Sequence, residues 1–364
     1  MDPYEPEPLP PRSVNWESHL SASIVASMAL GEYKGILRGL INPYLLLAPL
    51  NYREAVISSR IEGTQATVEE VMRFEIEDER SILTEDQKSA QEVVNYCKAM
   101  AEAVKLLESK PLCINTIREL HSILLTSVRG KDKDPGEIRK KQNWIGTKGC
   151  TMEQASFLPP DPMYVMDFLS KWENYVHKKE DNILIQLAII KAQFELIHPF
   201  RDGNGRIGRM LVPLILYSKK VLPIPSFYIS AYLEKHDDEY RHRLLAISQE
   251  KDWDGWISFF LEAMIEQAKE NNEKADSIIK LNAEMRQIIP RILNSTYSTQ
   301  VIDTMFASPM FDSKHFANNS GIPKESVRWI FQKLNKNEII DIYREGSGSR
   351  GTMYIFPRLL EITR

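Results

Sequence analysis

The sequence predicts a mainly α-helical protein, and three observations carry that expectation. Apolar residues recur at helical spacing along most of the 364 residues. One glycine-rich, arginine-rich turn lies where one such stretch stops and the next begins. Beyond Pro290 the pattern changes to short segments around Gly-containing turns, ending in alternating apolar residues.

Taken in order, Met1 to Arg12 reads as an extended, proline-rich arm. Helical patterns follow at Ile24–Leu30, Ala55–Phe74, Asp86–Leu107, Ile114–Ser127 and Tyr164–His177. Between the last two, Pro135-Gly136-Glu137-Ile138-Arg139 leads into Asn143-Trp144-Ile145-Gly146-Thr147 and then Phe157-Leu158-Pro159-Pro160. Its Gly, Pro and alternating apolar character predicts a short hairpin. Ile183, Leu187, Ile190, Phe194 and Ile197 step four then three, which is one buried face of a helix. Pro199 disfavours helical backbone at His198, so that helix should stop there. The next should run through Met210, Leu211 and Leu214. A long one spans Trp253 to about Ile289, with Pro290 at its close.

In the last segment, Val301–Phe306 predicts a short helix. Ser313–Ala317 and Lys324–Leu334, joined through Ser320-Gly321-Ile322-Pro323, read as a helix-turn-helix. Ile339–Tyr343 and Thr352–Phe356 flank Gly346-Ser347-Gly348-Ser349 and read as a hairpin, the wing of a winged helix. From Arg291 on there are ten Lys or Arg against seven Asp or Glu, a surplus of three. Lys324, Arg328, Arg344 and Arg350 could meet phosphates, though such domains also serve as dimer or protein-docking modules.

Composition narrows the class. The chain is long enough for two to three domains and a sizeable core. Its 43% hydrophobic and 26% charged residues are ordinary for a globular protein, and a net charge of −4 argues against wholesale coating of nucleic acid. Cys97, Cys113 and Cys150 lack metal-ligand spacing and are expected as reduced thiols. No stretch approaches twenty apolar residues, and the acidic, Pro-rich start is unlike a secretion signal. A cytoplasmic protein without a membrane association is the expectation.

The chemistry concentrates in His198-Pro199-Phe200-Arg201-Asp202-Gly203-Asn204-Gly205-Arg206-Ile207-Gly208-Arg209. Gly203 and Gly205 permit positive φ or close approach of a ligand to the backbone. A glycine-rich turn feeding a helix N-terminus presents free amides and the positive end of the helix dipole, which is an anion site. Arg206 and Arg209, three apart, share a helix face and offer forks suited to phosphate oxygens. Asp202 beside such a nest would repel phosphates unless a divalent cation lay between, so it reads as a Mg²⁺ ligand. Each residue alone has an ordinary structural explanation, but all twelve positions together serve one polyphosphate site.

This run resembles, position for position, the signature His-Pro-Phe-x-Asp-Gly-Asn-Gly-Arg-x-Gly-Arg of Fic domains. The resemblance implies a Fic helical-bundle core with a small β-hairpin flap and a protein adenylyltransferase. That enzyme would move AMP from ATP to a Ser, Thr or Tyr hydroxyl of a target protein. His198 would be the general base, and Phe200 a buried anchor. Asp202 would hold Mg²⁺ between the α- and β-phosphates, and Gly203, Asn204 and Gly205 would form the anion hole. Arg206 would pair with the departing phosphates and Arg209 with the γ-phosphate, with Ile207 and Gly208 completing the ATP site. The flap residues Ile145, Gly146 and Thr147 would dock the target by strand addition. Tyr240 resembles a residue lying against adenine, although Arg241 departs from the second Tyr of many relatives.

Upstream, Ser58-Ser59-Arg60-Ile61-Glu62-Gly63 resembles the Fic inhibitory pattern, on a helix expected over about 55–72. The resemblance implies that Glu62, facing the same side as Ser58, pairs with Arg209 and keeps the γ-phosphate from its productive pose. The implied organisation is an N-terminal helical region over 1–110, a Fic core over 111–289 and a winged-helix domain over 290–364. A DNA partner through the winged helix and a homodimer are further expectations. Alternatives are a Fic-like kinase, an AMP-removing hydrolase on the same site, and a nucleotide-sensing DNA-binding regulator. The kinase-type relatives break the glycine that this chain keeps at Gly205.

Overall fold

The computed structural model describes residues 2–364 except 78–82, 127–130, 148 and 349. In chain order the helices are α1 (Leu20–Gly39), α2 (Pro43–Leu46), α3 (Ala48–Ile61), α4 (Val68–Ile76), α5 (Glu85–Ser109), α6 (Ile114–Leu124), α7 (Val165–His177) and α8 (Ile183–Ile197). They continue with α9 (Asn204–Ser218), α10 (Ser230–Lys235), α11 (Asp237–Glu250), α12 (Trp253–Leu293), α13 (Ser298–Ala307), α14 (Ser313–Ser320), α15 (Lys324–Lys336) and α16 (Pro357–Thr363). The strands β1 (Met310–Asp312), β2 (Asp341–Arg344) and β3 (Met353–Ile355) form one antiparallel sheet in the order β1-β3-β2. The protein is mainly helical, as its periodicity predicts.

Two compact units emerge. The first comprises Met1–Lys34, Ile57–Thr64 and Asn95–Lys269, and the second Gly35–Val56, Gln65–Val94 and Glu270–Arg364. In the first unit α8 is the central rod. Thirteen of its fifteen residues are buried, Gln186, Lys191 and Gln193 among them. The single buried face expected from Ile183 to Ile197 is therefore a correction: the helix is enclosed on all sides, as a helix without a polar face must be. Asn182 caps its start, accepting from the amides of Leu184 and Ile185. Of the polar side chains it buries, the Gln186 amide donates to the Tyr175 and Lys178 carbonyls, and Lys191 donates to Glu195 and Tyr240.

In the second unit Met72 of α4 packs with Met310, Met353 and Leu360, so α4 closes one side of the sheet. Asp312 caps α14 and Gly321 ends it in left-handed conformation at φ 69°. β2 and β3 pair as the expected hairpin, with an irregularity between Ile342 and Arg344.

Several boundaries differ from expectation. The helix expected over 55–72 is two: α3 stops at Ile61, Gly63 turns the chain at φ 89°, and Thr67 opens α4 with a capping box to Glu70. Pro290 lies inside α12, which continues to Leu293. It falls in the last turn, where only one helical bond is forfeited. α6 ends at Leu124 with Leu125 as its cap, short of the expected Ser127, which lies outside the described residues, as does Ser349 of the wing turn. The N-terminal arm is extended but docked. The Tyr4 amide donates to the Leu158 carbonyl at 2.8 Å, and the Trp253 indole donates to Glu7 at 2.8 Å.

Candidate active site

α8 and α9 lie against each other, and the motif is the turn between them. α8 ends on His198 at φ 50°, ψ 59°, a left-handed conformation that a non-glycine residue adopts only when its surroundings hold it. Gly203, at φ 78°, starts α9; a side chain there would meet the His121 ring at 3.4 Å. The turn is closed by Asn204, whose side chain accepts from the Phe200 amide and donates to the Phe200 carbonyl, both at 2.9 Å. Asn204 is thus spent on loop geometry. Its backbone amide, with those of Gly205 and Arg206, precedes the first intrahelical bond, from Ile207 to Gly203, and forms the anion-attracting end of α9.

Arg209 projects from the next turn and is 1% exposed. Its Nε donates to Ser58 Oγ at 2.8 Å, and its Nη2 to the Ser58 carbonyl and to Glu62 Oε1, each at 2.7 Å. Ser58 and Glu62 sit four residues apart at the end of α3, so one helical turn presents both. The Glu62 carboxylate rests on the α-carbon of Gly205, where any side chain would run into it. A phosphate held by the first turn of α9 and by Arg209 would need that same space. Arg60 anchors the segment from outside, bonded to Glu234 by both fork nitrogens.

Electrostatics follow from burial and pairing. Desolvation would raise the Glu62 carboxyl, but Arg209 first and Arg206 after it hold it below its usual range. Burial alone would lower Arg209, yet Glu62, Tyr240 and Glu195 push it up. His198 is half-buried, and desolvation lowers it, which keeps the imidazole neutral and able to take a proton. Its Nδ1 faces the Glu195 carbonyl at 3.2 Å. A donor Nδ1–H there leaves Nε2 as the basic nitrogen.

Two further side chains brace the turn. Arg139 donates from Nε to the His198 carbonyl at 2.9 Å. His121 is stacked on Phe200 with ring centroids 3.7 Å apart, and its Nε2 meets the Asp202 carbonyl at 2.9 Å. Burial pushes His121 down to about 4, so it is neutral, and its Nδ1 accepts from the Gly136 amide at 2.8 Å.

The remaining expected residues lie as follows. Asp202 is about half exposed; its Oδ1 accepts from the Gly203 amide at 2.6 Å and lies 3.6 Å from Arg206. Ile145 pairs with Phe157 through a single isolated bridge, with Gly146 and Thr147 exposed beyond it. The expected hairpin is corrected to that one bridge, because the segment folds into a compact turn before Phe157. Tyr240 is buried, its hydroxyl bonded to Lys191 at 2.9 Å and to Glu195 at 2.8 Å. No group of three or more His, Cys, Asp or Glu that could hold a metal occurs among the described residues.

Residues 20–105 match the description "Fic/DOC family N-terminal", and residues 111–216 match "Fic/DOC family". The chain belongs to the Fic/DOC family. Both matched segments contribute to the geometry above, Ser58 and Glu62 from one and His198 to Arg209 from the other. Over 88 residues the chain is 35% identical to a probable protein adenylyltransferase of Aquifex aeolicus, covering 23% of this chain and 28% of that one. Over 141 residues it is 28% identical to protein adenylyltransferase fic-1 of Caenorhabditis elegans, covering 36% of this chain and 26% of that one. The chain thus spans about a quarter of the length of each. A crystal structure of a Fic family protein from Desulfovibrio desulfuricans G20 shares the fold, with TM-score 0.59 and 16% identity over 98% of both chains.

Sequence reasoning about this Fic site missed Arg139, His121 and the Lys191–Glu195 pair beside Tyr240. His121 had a signal: with Ile117, Leu120 and Leu124 it completes an i, i+3, i+4, i+7 apolar face. Arg139 had none, since its partners are carbonyls far along the chain.

Proposed function

We propose that this Fic protein is a protein adenylyltransferase that transfers AMP from ATP to a Ser, Thr or Tyr hydroxyl of a target protein, and that Glu62 holds it inactive. The observation that carries the reading is one arginine, Arg209, enclosed beside the amide end of α9 and bonded to a carboxylate from an earlier segment. A guanidinium fork that binds carboxylate also binds phosphate. With Glu62 withdrawn, Arg209, Arg206 and the first turn of α9 take up the triphosphate. His198 Nε2 removes the proton from the incoming hydroxyl. The hydroxyl oxygen bonds to the α-phosphorus as the bond to the β-phosphate oxygen breaks, and pyrophosphate leaves. The exposed backbone of Ile145, Gly146 and Thr147 would align an extended target segment. Tyr240, buried with the Lys191 ammonium 4.6 Å from its ring centroid, would flank the adenine side of the nucleotide site.

Asp202 suits Mg²⁺. The ion usually takes one or two carboxylates and draws its other ligands from water and substrate phosphates, and a single half-exposed carboxylate fits that demand. When bound it would neutralise phosphate charge.

The chain divides, on this reading, into an N-terminal helical region (1–110), a catalytic core (111–289) and a winged-helix domain (290–364). The last is supported by the order of α13, β1, α14, α15, β2 and β3 and by the sheet order β1-β3-β2. An open groove of about 860 Å³ there is lined by Lys324, Arg328, Arg344 and Arg350, with Glu77, which pairs with Arg344, and Asp312 as its acidic residues. Duplex DNA is the partner this charge favours, and a salt-dependent gel shift tests it against a protein partner. A homodimer is favoured by the exposed apolar stripe of Leu20, Ile24, Val25 and Met28 on α1. No helix among the described residues is long and apolar enough to cross a membrane.

The test uses Glu62→Gly protein with ATP labelled at the α- or the γ-phosphate. Protein-bound label from the α position only, lost with His198→Ala, is the expected result. Label from the γ position would make the protein a kinase, and label surviving His198→Ala would place the chemistry elsewhere.

A further inference from the structure

Arg139 is 2% exposed, yet among the described residues it has no carboxylate within hydrogen-bonding reach. Its side-chain bonds all go to backbone carbonyls. Nε serves His198 at 2.9 Å, Nη2 serves Pro160 at 2.5 Å and Ile197 at 3.4 Å, and Nη1 reaches Lys141 at 3.5 Å. Its own amide donates to the Pro199 carbonyl at 2.9 Å. Taking a cation out of water is expensive, and the nearby Asp161 carboxylate offsets that cost only in part. Burial pushes the group down to about 10. Packing alone would be served as well by Leu or Met, so the guanidinium must be kept for what it holds.

What the guanidinium holds are the consecutive carbonyls of Ile197 and His198, while the Arg139 backbone amide holds that of Pro199. His198 is the only motif residue other than glycine at positive φ, 50°. That conformation is disfavoured for a residue with a side chain, so it needs an external restraint. The same guanidinium reaches Pro160, three residues past the Ile145–Phe157 bridge. A planar five-donor fork holds carbonyls from both chain segments in one fixed geometry, whereas an ammonium offers three rotatable donors from a single point. Three residues earlier, the Gly136 amide donates to His121, which grips Asp202 at the other end of the turn.

We propose that Arg139 is a positioning residue that locks the His198 imidazole and the target-docking flap into one rigid frame. The base and the incoming hydroxyl then share a common reference, and the orientation survives withdrawal of Glu62. This rests on the adenylyltransferase reading. Arg139 touches neither nucleotide nor target, so its loss damages the transfer step and spares ATP binding.

The test compares Arg139→Lys and Arg139→Gln in the Glu62→Gly parent, with ATP affinity measured by calorimetry and AMP transfer under single turnover. Misplacement by about 1 Å costs on the order of 10²-fold in rate. Both variants should lose about that much in transfer while ATP affinity stays within about twofold. Transfer within twofold of the parent would overturn the proposal, as would rate and ATP affinity falling in parallel. A parent that transfers no AMP overturns the adenylyltransferase reading instead. A second measurement needs no Arg139 variant and so is immune to misfolding. In the parent labelled with ¹⁵N-arginine, the Arg139 Nε–H should resist solvent exchange equally with and without ATP. Rapid exchange in either state would show that the frame is not held.

Discussion

Arg209 and Arg139 are enclosed almost equally, at 1% and 2% exposure, but they keep opposite company. Arg209 faces the Glu62 carboxylate and Ser58, and the surrounding negative charge more than offsets the effect of burial on it. Arg139 spends its hydrogen bonds on carbonyl oxygens, and burial, only partly offset by Asp161, brings it down to about 10. The difference separates two uses of one side chain. An anion can be exchanged for another anion, so the Arg209 pair is suited to switching. The chain's own carbonyls cannot leave, so the Arg139 cluster is suited to holding. The motif turn lies between a replaceable grip and a permanent one.

The largest expected effect breaks the chemistry that both arginines serve. His198→Ala in the Glu62→Gly background should reduce transfer by about 10²–10⁴-fold, the usual range for a general base, in a radiolabel assay. A smaller loss would mean that the turn positions something other than the base. Next comes the exchangeable grip. Arg209→Ala in the same background should lower transfer by about 10²–10³-fold, as removal of a preorganised charge-stabilising donor does. A loss confined to ATP affinity would place Arg209 outside the transition state.

The pH profile sharpens the comparison from the side of the base. Because desolvation holds His198 below its ordinary 6.5, the acid limb of kcat/KM should fall below pH 6.5. An acid limb at or above that value would contradict the neutral, half-buried imidazole. Stability should respond through His121, lowered to about 4 from 6.5 by burial. Between those values the unfolded chain binds the extra proton. The contribution is therefore complete above pH 6.5 and is lost as the pH falls toward 4. Urea melts should register a decline on the order of 1–3 kcal/mol, flattened in His121→Gln. The smallest effect concerns the outer anchor of the Ser58–Glu62 segment. Arg60 and Glu234 are 45% and 32% exposed, so Glu234→Ala should cost less than about 1 kcal/mol in thermal or urea unfolding.

How much of this was legible depends on distance along the chain. The end of α8 at His198, the start of α9 beyond Gly203 and the common face of Ser58 and Glu62 follow from local rules. Prolines, glycines and helical spacing act over a few residues. The break at Gly63 was half-visible, since the glycine weakened a helix whose restart depends on Thr67 and Glu70. Strand β1 has three residues, too short for any alternation to register. The flap shrank to one bridge because its intervening residues fold on themselves. Arg139 lies 59 residues from the carbonyl it serves, and carbonyls carry no sequence identity. Lys191 sits inside a helix whose enclosure comes from neighbours rather than from its own periodicity. Chemistry written in side-chain types was readable; support supplied by backbone atoms was not.

The central claim is that Glu62 occupies the place of a phosphate on Arg209. Initial rates of AMP transfer from saturating ATP, wild type beside Glu62→Gly, test it most directly. Exchange of a charge-assisted pair worth about 1.5–3 kcal/mol predicts a gain of roughly 10–100-fold. Equal rates in the two proteins would contradict the claim.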